Sequence, residues 1–103
     1  MVQVDVSGSP AIVSVDIPTL RMTGKNTKNI HWQLNNNQYE FRTDCVQFKD
    51  ENAPNQFSGA TGNGADCHVQ DLNSDTNTYG YLLKVYKKGT NNWLALDPWI
   101  MNG

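Results

Sequence analysis

The clearest pattern of apolar and polar positions lies in the last third of the chain, from Asp66 to Gly103. There Tyr79, Tyr81, Leu83 and Val85 share one parity, while Gly80, Lys84 and Lys88 share the other. Alternation with period two marks a strand buried on one face only. A shorter strand from Val69 to Leu72 precedes it across the polar turn Asn73 to Thr78. After it, Gly89-Thr90-Asn91-Asn92 turns the chain into Trp93 to Leu96. Asp97-Pro98 then interrupts the pattern, because proline has no N–H to give a ladder. Trp99 to Met101 is therefore expected as an edge piece or a bulged continuation.

The same period recurs upstream. Val2, Val4 and Val6 alternate with Gln3 and Asp5, and Ala11, Val13, Val15 and Ile17 with Ser14 and Asp16. With Ser7-Gly8-Ser9-Pro10 as the turn, these segments predict a hairpin that ends at Pro18. Residues 18–27 read as a loop in which Leu20 and Met22 dip back toward the core. Ile30, Trp32 and Leu34 make a third strand, Asn35-Asn36-Asn37 a tight connection, and Tyr39 to Phe41 the start of the return. The phase then breaks, since Val46 and Phe48 have the opposite parity to Tyr39 and Phe41. Either a bulge or a corner between two strands accounts for this, and the two place Cys45 on opposite faces. Residues 50–65 carry no apolar periodicity apart from Phe57, and are expected to form the longest and most mobile loop.

No helical period occurs anywhere. Seven or eight short strands with turns at this spacing predict an all-β fold, an antiparallel β-sandwich in preference to a small barrel, forming one domain over residues 1–103. The expected core is Val4, Val13, Val15, Trp32, Leu34, Phe41, Val69, Tyr81, Leu83 and Val85.

Composition sharpens this in two respects. The chain holds 103 residues, enough for one core, and its thirteen asparagines fill the place charged residues usually take. Asparagine suits turns, because its side chain bonds nearby backbone and tolerates left-handed dihedrals. A formal charge of −2 and a pI near 5.5 argue against a general nucleic-acid binder, which needs a basic footprint. Lys84, Lys87 and Lys88 form the one basic cluster, read as a solvated strand edge. No apolar run approaches the ~20 residues that cross a bilayer, so no membrane partner is expected. No charged-then-apolar leader is visible, which tilts the expected location toward the cytoplasm. Cys45 and Cys67 permit one disulfide. Reduced thiols are the preferred reading because nothing else marks export, with one bridge as the alternative.

Candidate chemistry is sparse. Asp71-Leu72-Asn73-Ser74-Asp75-Thr76-Asn77 places oxygen-bearing side chains at alternate positions, as the start of a calcium loop does. A helix–loop–helix calcium site would put glycine at the sixth position and glutamate at the twelfth, where Thr76 and Leu82 stand. A hairpin turn whose Asx side chains cap backbone groups is therefore preferred. His31, Cys45, Cys67 and His68 are soft-metal ligand types, but Cys67 and His68 are adjacent and point to opposite faces of a strand. His31 lies on the polar face of its own strand, so no metal site and no cofactor are expected. Gly59-Ala60-Thr61-Gly62-Asn63-Gly64 lacks the lysine and the helix of a phosphate loop. No nucleophile elbow or suggestive pairing of carboxylates occurs; Glu40, Asp44 and Asp50 read as surface charges, and no catalytic residue is expected. Three tryptophans and four tyrosines amid Asn and Asp have the composition of a sugar-binding face. By parity Trp32, Tyr79 and Tyr81 belong to the core, which leaves Trp93, Trp99 and Tyr86 as surface aromatics.

The run Tyr79-Gly80-Tyr81-Leu82-Leu83-Lys84-Val85-Tyr86, followed by Leu94 to Asn102 with Asp97-Pro98-Trp99-Ile100-Met101-Asn102, resembles the ending of small uncharacterised bacterial β-sandwich proteins. In those a Tyr-x-Tyr-x-Val-x-Val strand precedes an Asp-Pro-x-Ile-x-Asn close. The chain departs from that pattern at Leu83, where a β-branched residue is commoner. Asp71-x-Asn73 and the strand Ile30 to Leu34 fit the same outline. The resemblance covers mainly the C-terminal third; it implies an immunoglobulin-like sandwich and transfers no site residue.

The functional expectation is a non-enzymatic binding or assembly module, which self-associates or adds a strand to a protein partner through a sheet edge. The alternative is a carbohydrate- or calcium-binding domain using Asp71, Asn73, Asp75 and Asn77 with Trp93 and Trp99.

Overall fold

A computed structural model describes residues 1–24 and 26–103. Among the described residues eleven strands and one 3-10 turn follow in order: β1 (Val2–Ser7), β2 (Ile12–Val15), β3 (Thr19–Arg21), β4 (Lys28–Leu34), β5 (Tyr39–Glu40), β6 (Val46–Phe48), the turn Ala53–Asn55, β7 (Phe57–Asn63), β8 (Asp66–Asp71), β9 (Thr78–Lys87), β10 (Trp93–Leu96) and β11 (Trp99–Met101). They form a sandwich of two sheets. The first has the order β2-β1-β4-β8-β7, and the second gathers β3, β5, β6, β10 and β11 around β9.

The hairpin of β1 and β2 forms with Val4 opposite Val15. The expectation of a wholly antiparallel sandwich is corrected at two places. β1 runs parallel to β4, with Val2 opposite Trp32, and β3 runs parallel to β11, with Thr19 opposite Trp99. Both arise because the chain changes sheet after β2. The expected loop over residues 18–27 holds β3, whose Leu20 is buried; Lys25 of that loop lies outside the described residues. The expected long loop over residues 50–65 is corrected likewise. Phe57–Asn63 is the outer strand β7, paired with β8 and bulged between Ser58 and Thr61. Five of its seven residues are exposed, so no alternation betrays it.

The Asp97-Pro98 interruption proves to be a continuation. β10 and β11 keep one register along the same side of β9, from Trp93 opposite Tyr86 to Met101 opposite Thr78. Pro98 still accepts the Tyr81 N–H through its carbonyl at 3.1 Å, so only the bond it cannot donate is missing. Along the other side of β9 lie β5 and β6. Eight residues from Tyr39 to Val46 face five from Lys87 to Leu83, and the excess forms the corner inferred from the phase break. There Phe41 turns away and its N–H bonds the Gly64 carbonyl at 2.7 Å, at the far end of β7.

Nine of the ten expected core residues are buried, with Val15 partly so. At the centre the Trp32 indole N–H donates to the Tyr81 hydroxyl at 3.2 Å across the sheets. Burial pushes the Tyr81 phenol far above its ordinary range, so the hydroxyl stays neutral. Phe48 of the second sheet stacks on Phe57 of the first, with ring centres 4.0 Å apart.

The preference for reduced thiols is also corrected. Cys45 at the corner and Cys67 on β8 form a disulfide, and both are fully buried. The corner packs so closely on β7 that a Cβ at Gly62 would lie 2.1 Å from the Arg42 carbonyl oxygen and 2.7 Å from the Cys45 sulfur. Gly62 is therefore glycine for space, not for dihedral freedom.

Two outcomes are expected. Reducing the disulfide, whose sequence separation is 22, lowers stability by about 3 kcal/mol on the loop-closure model. Urea unfolding with and without a thiol reductant measures this. Gly62→Ala costs at least about 2 kcal/mol, because the clash is with backbone and cannot be relieved by a rotamer; an unchanged urea midpoint would refute the close approach.

Candidate functional site

Two regions contain the residues picked out from the sequence, and they behave differently. In the turn from Asp71 to Asn77 the side chains are spent on the fold. Asp71 Oδ1 accepts the Asn73 N–H at 2.9 Å, an Asx turn that holds Asn73 at φ 54°. The fully buried Asn73 side chain donates to the Gly24 and Asn26 carbonyls and accepts the Gly103 N–H at 2.9 Å. Asp75 accepts from Asn102 Nδ2 at 3.0 Å, from the Asn77 N–H at 3.2 Å and from the Tyr79 hydroxyl. Gln56 and Ser74 bond each other twice, each bond 2.8 Å long. Gln56 was not among the residues singled out from the sequence, and Asn102 appeared there only as the last residue of the Asp-Pro-x-Ile-x-Asn close, with no role given. The network thus ties together the β8–β9 connection, the 3-10 turn, the segment before β4 and the end of β11.

Two oxygens of this network, Asp71 Oδ2 and Asn102 Oδ1, are buried without a partner among the described residues. Burial pushes the Asp71 carboxyl above the usual carboxylate range, against the lowering hydrogen bond from the Asn73 N–H, and the charge of Asp75 adds to the rise.

The second region is the outer face of the second sheet. Even-numbered residues of β9 and odd-numbered residues of β10 and β11 point there, by the same parity that buries Tyr79, Tyr81, Leu83 and Val85. Lys84 was expected on a solvated edge with Lys87 and Lys88. That is corrected, since β9 is an interior strand and Lys84 is buried; Lys87 and Lys88 are exposed. Its ammonium lies 3.1 Å from Asp44 Oδ2 and 4.3 Å from the centre of the Trp93 ring. The Tyr86 hydroxyl donates to the same Asp44 oxygen at 2.6 Å, and the Arg42 guanidinium lies 4.1 Å over the Tyr86 ring. Arg42 is held in turn by Glu40 at 3.0 Å.

Burial alone would raise the Asp44 carboxyl, but the bonds from Tyr86 and Lys84 bring it below the usual range. Burial would likewise lower Lys84, and the bonds to Asp44 and Tyr86 raise it instead. Both groups are charged at neutral pH, and the pair forms a fixed polar floor beneath the rings. Asp44 and Lys84 were read from the sequence as surface charges, and Arg42 was not singled out. The available signal was Lys84-x-Tyr86 on the polar parity of a strand otherwise rich in core residues.

At the other end of the same strand path, Trp99 lies over Gly80, whose missing side chain leaves room for the indole. A Cβ there would be 3.1 Å from the ring. Trp93 and Trp99 are each about half exposed, at 50% and 51%. They share one face of one continuous register six residues apart, hence about 20 Å along the strand. Between them Asp97 pairs with Lys49 at 2.8 Å. The structure thus brings Trp93 and Trp99 onto one platform and leaves Asp71, Asn73, Asp75 and Asn77 in a separate structural turn.

Of the soft-metal types, Cys45 and Cys67 are consumed in the disulfide, while His31 and His68 stand side by side on the outer face of the first sheet. Compared with known proteins, the chain matches no family model and no curated protein.

Asp71 gives a test with a definite sign. A carboxyl whose pKa is higher folded than unfolded stabilises the fold fully below its unfolded value, near ~3.9, and loses that contribution as pH rises through the folded value. Asp71→Asn keeps the acceptor for the Asn73 N–H and replaces the unpartnered oxygen with a donor. Its stability is expected to equal or exceed the native value at pH 7, and to lack the decline that begins just above pH ~4. Asp71→Ala is expected to lose about 1–3 kcal/mol. Urea unfolding across pH checks both.

Proposed function

We propose that this domain is a non-enzymatic binding module that takes an extended carbohydrate chain on the outer face of its second sheet. One observation carries the reading: Trp93 and Trp99, half exposed, lie on the same face of one strand register, each seated on a fixed support. Large rings left uncovered on one face are informative in a way that scattered surface leucines are not. Indoles lying along a sheet offer apolar faces to the C–H faces of sugar rings. The charged and amide groups around them, Asp97, Lys49, Arg42 and Asn91, suit hydroxyls. A separation of about 20 Å suits a polymer better than a compact molecule.

We also propose that the sandwich is immunoglobulin-like. Supporting this, β2, β4, β8 and β7 share one sheet, while β5 with β6, β9, and β10 with β11 share the other, the partition of the seven-strand form. The crossing strand β3 then pairs parallel with the last strand. Two departures go with it: β1 is inserted between β2 and β4, and the disulfide joins a corner to β8.

Self-assembly is the second reading, favoured by Ile12, which is 65% exposed on the outer strand β2. The opposite outer strand β7 is bulged, a feature that discourages pairing.

Affinity electrophoresis and calorimetry against a panel of soluble polysaccharides test the proposal. Trp93→Ala and Trp99→Ala are each expected to weaken binding about tenfold, or 1.4 kcal/mol, with the melting midpoint within a few degrees of native. Binding that survives the double substitution would refute the platform. A mass that rises with concentration in sedimentation, and falls back with Ile12→Lys, would favour assembly instead.

A further inference from the structure

We propose that His31, His68 and Asp66 form a binding site for a divalent transition-metal ion, zinc above all, on the outer face of the first sheet. This face lies on the opposite side of the sandwich from the tryptophan platform, and the inference does not depend on that reading.

The register makes the site. β4 and β8 pair antiparallel with His31 directly opposite His68. The Leu34 N–H bonds the Ala65 carbonyl at 2.7 Å, which fixes even-numbered residues of β4 at the hydrogen-bonded positions. His31 and His68 therefore occupy a non-hydrogen-bonded pair, where strands come closest, about 4.5 Å between Cα atoms, and facing side chains meet. Their rings stack with centres 4.1 Å apart and planes 15° from parallel. Asp66 stands two residues before His68 on the same face, diagonal to His31, and its Oδ1 lies 2.7 Å from His31 Nε2. The three donor atoms all lie within 4.8 Å of one another.

Around a tetrahedral zinc ion with bonds of ~2.0–2.1 Å, neighbouring donors are roughly 3.3 Å apart. The distances from 2.7 to 4.8 Å straddle that value. His68 and Asp66 are open to solvent and can close the difference by side-chain rotation, and His31 is 27% exposed. Two imidazoles and one carboxylate are the donor set of zinc, copper(II) and nickel(II); calcium and magnesium prefer oxygen alone. Three protein ligands leave a fourth position for water or an outside ligand.

The backbone beneath is held firmly. β4 and β8 are interior strands of the five-stranded sheet, and Cys67, between Asp66 and His68, is anchored by the disulfide. A stacked pair of histidines beside a His–Asp hydrogen bond would also arise without any metal. The chelating reading differs from it in requiring all three donors to act on one ion.

The test is calorimetric titration of zinc chloride into the chelator-treated domain, free of any histidine tag, with melting curves alongside. One ion per domain is expected, with micromolar or tighter affinity and an upward shift of the midpoint. His68→Gln and Asp66→Asn, both at solvent-open positions, are each expected to weaken zinc at least tenfold while the metal-free midpoint stays within a few degrees of native. Zinc that binds only at millimolar concentration, or an affinity unchanged in both variants, would overturn the site.

Discussion

The register of β9 is the constraint on which the rest of the molecule depends. Its ten residues bind β10 and β11 along one side and β5 and β6 along the other. A slip of one residue would turn Tyr79, Tyr81, Leu83 and Val85 outward and Gly80, Leu82, Lys84 and Tyr86 into the core. Four large side chains at roughly 1.5–3 kcal/mol each amount to much of the ~5–15 kcal/mol by which such domains are stable. The same parity that fills the core aims Lys84 and Tyr86 outward and seats Trp99 over Gly80. Core and platform are two faces of one alignment.

What could be read in the sequence follows from how locally each feature is encoded. The alternation of β9, the hairpin of β1 and β2 and nearly all the core were legible, because period two is a property of consecutive residues. β7 was not, because an outer strand with five exposed residues needs no alternation and gains its place from pairing with β8. β3, three residues long, is defined by its partner β11 more than by its own composition. The sandwich was legible; the parallel pairings were not, since they depend on where the chain crosses between sheets.

The candidate sites divide in the same way. Trp93 and Trp99 could be named as surface aromatics from parity alone, but their common face required knowing that Pro98 leaves the register unbroken. His31 was placed on the polar face of its strand and His68 only on the face opposite Cys67, with nothing to join the two. Only the pairing of β4 with β8 puts them opposite one another. The disulfide had the same difficulty, since Cys45 lies in a corner whose direction the phase break left open. The asparagines were read as turn formers, and Asn73 is one, yet its side chain also joins segments far apart in sequence.

The placement of β1 bears on the order in which the sheet is completed. Val2–Ser7 occupies an interior lane, between β2 and β4, so its second neighbour is a segment more than twenty residues further on. During synthesis from the N-terminal side, β1 can rest in its hairpin with β2 while its other edge waits for β4, and β4 in turn waits for β8. Few of these pairs are local, and chains dominated by distant pairing fold in milliseconds to seconds rather than microseconds. Over that interval the unfilled edge of β1 is open to strands of neighbouring chains, which makes the nascent hairpin the stage at which chaperones have most to protect.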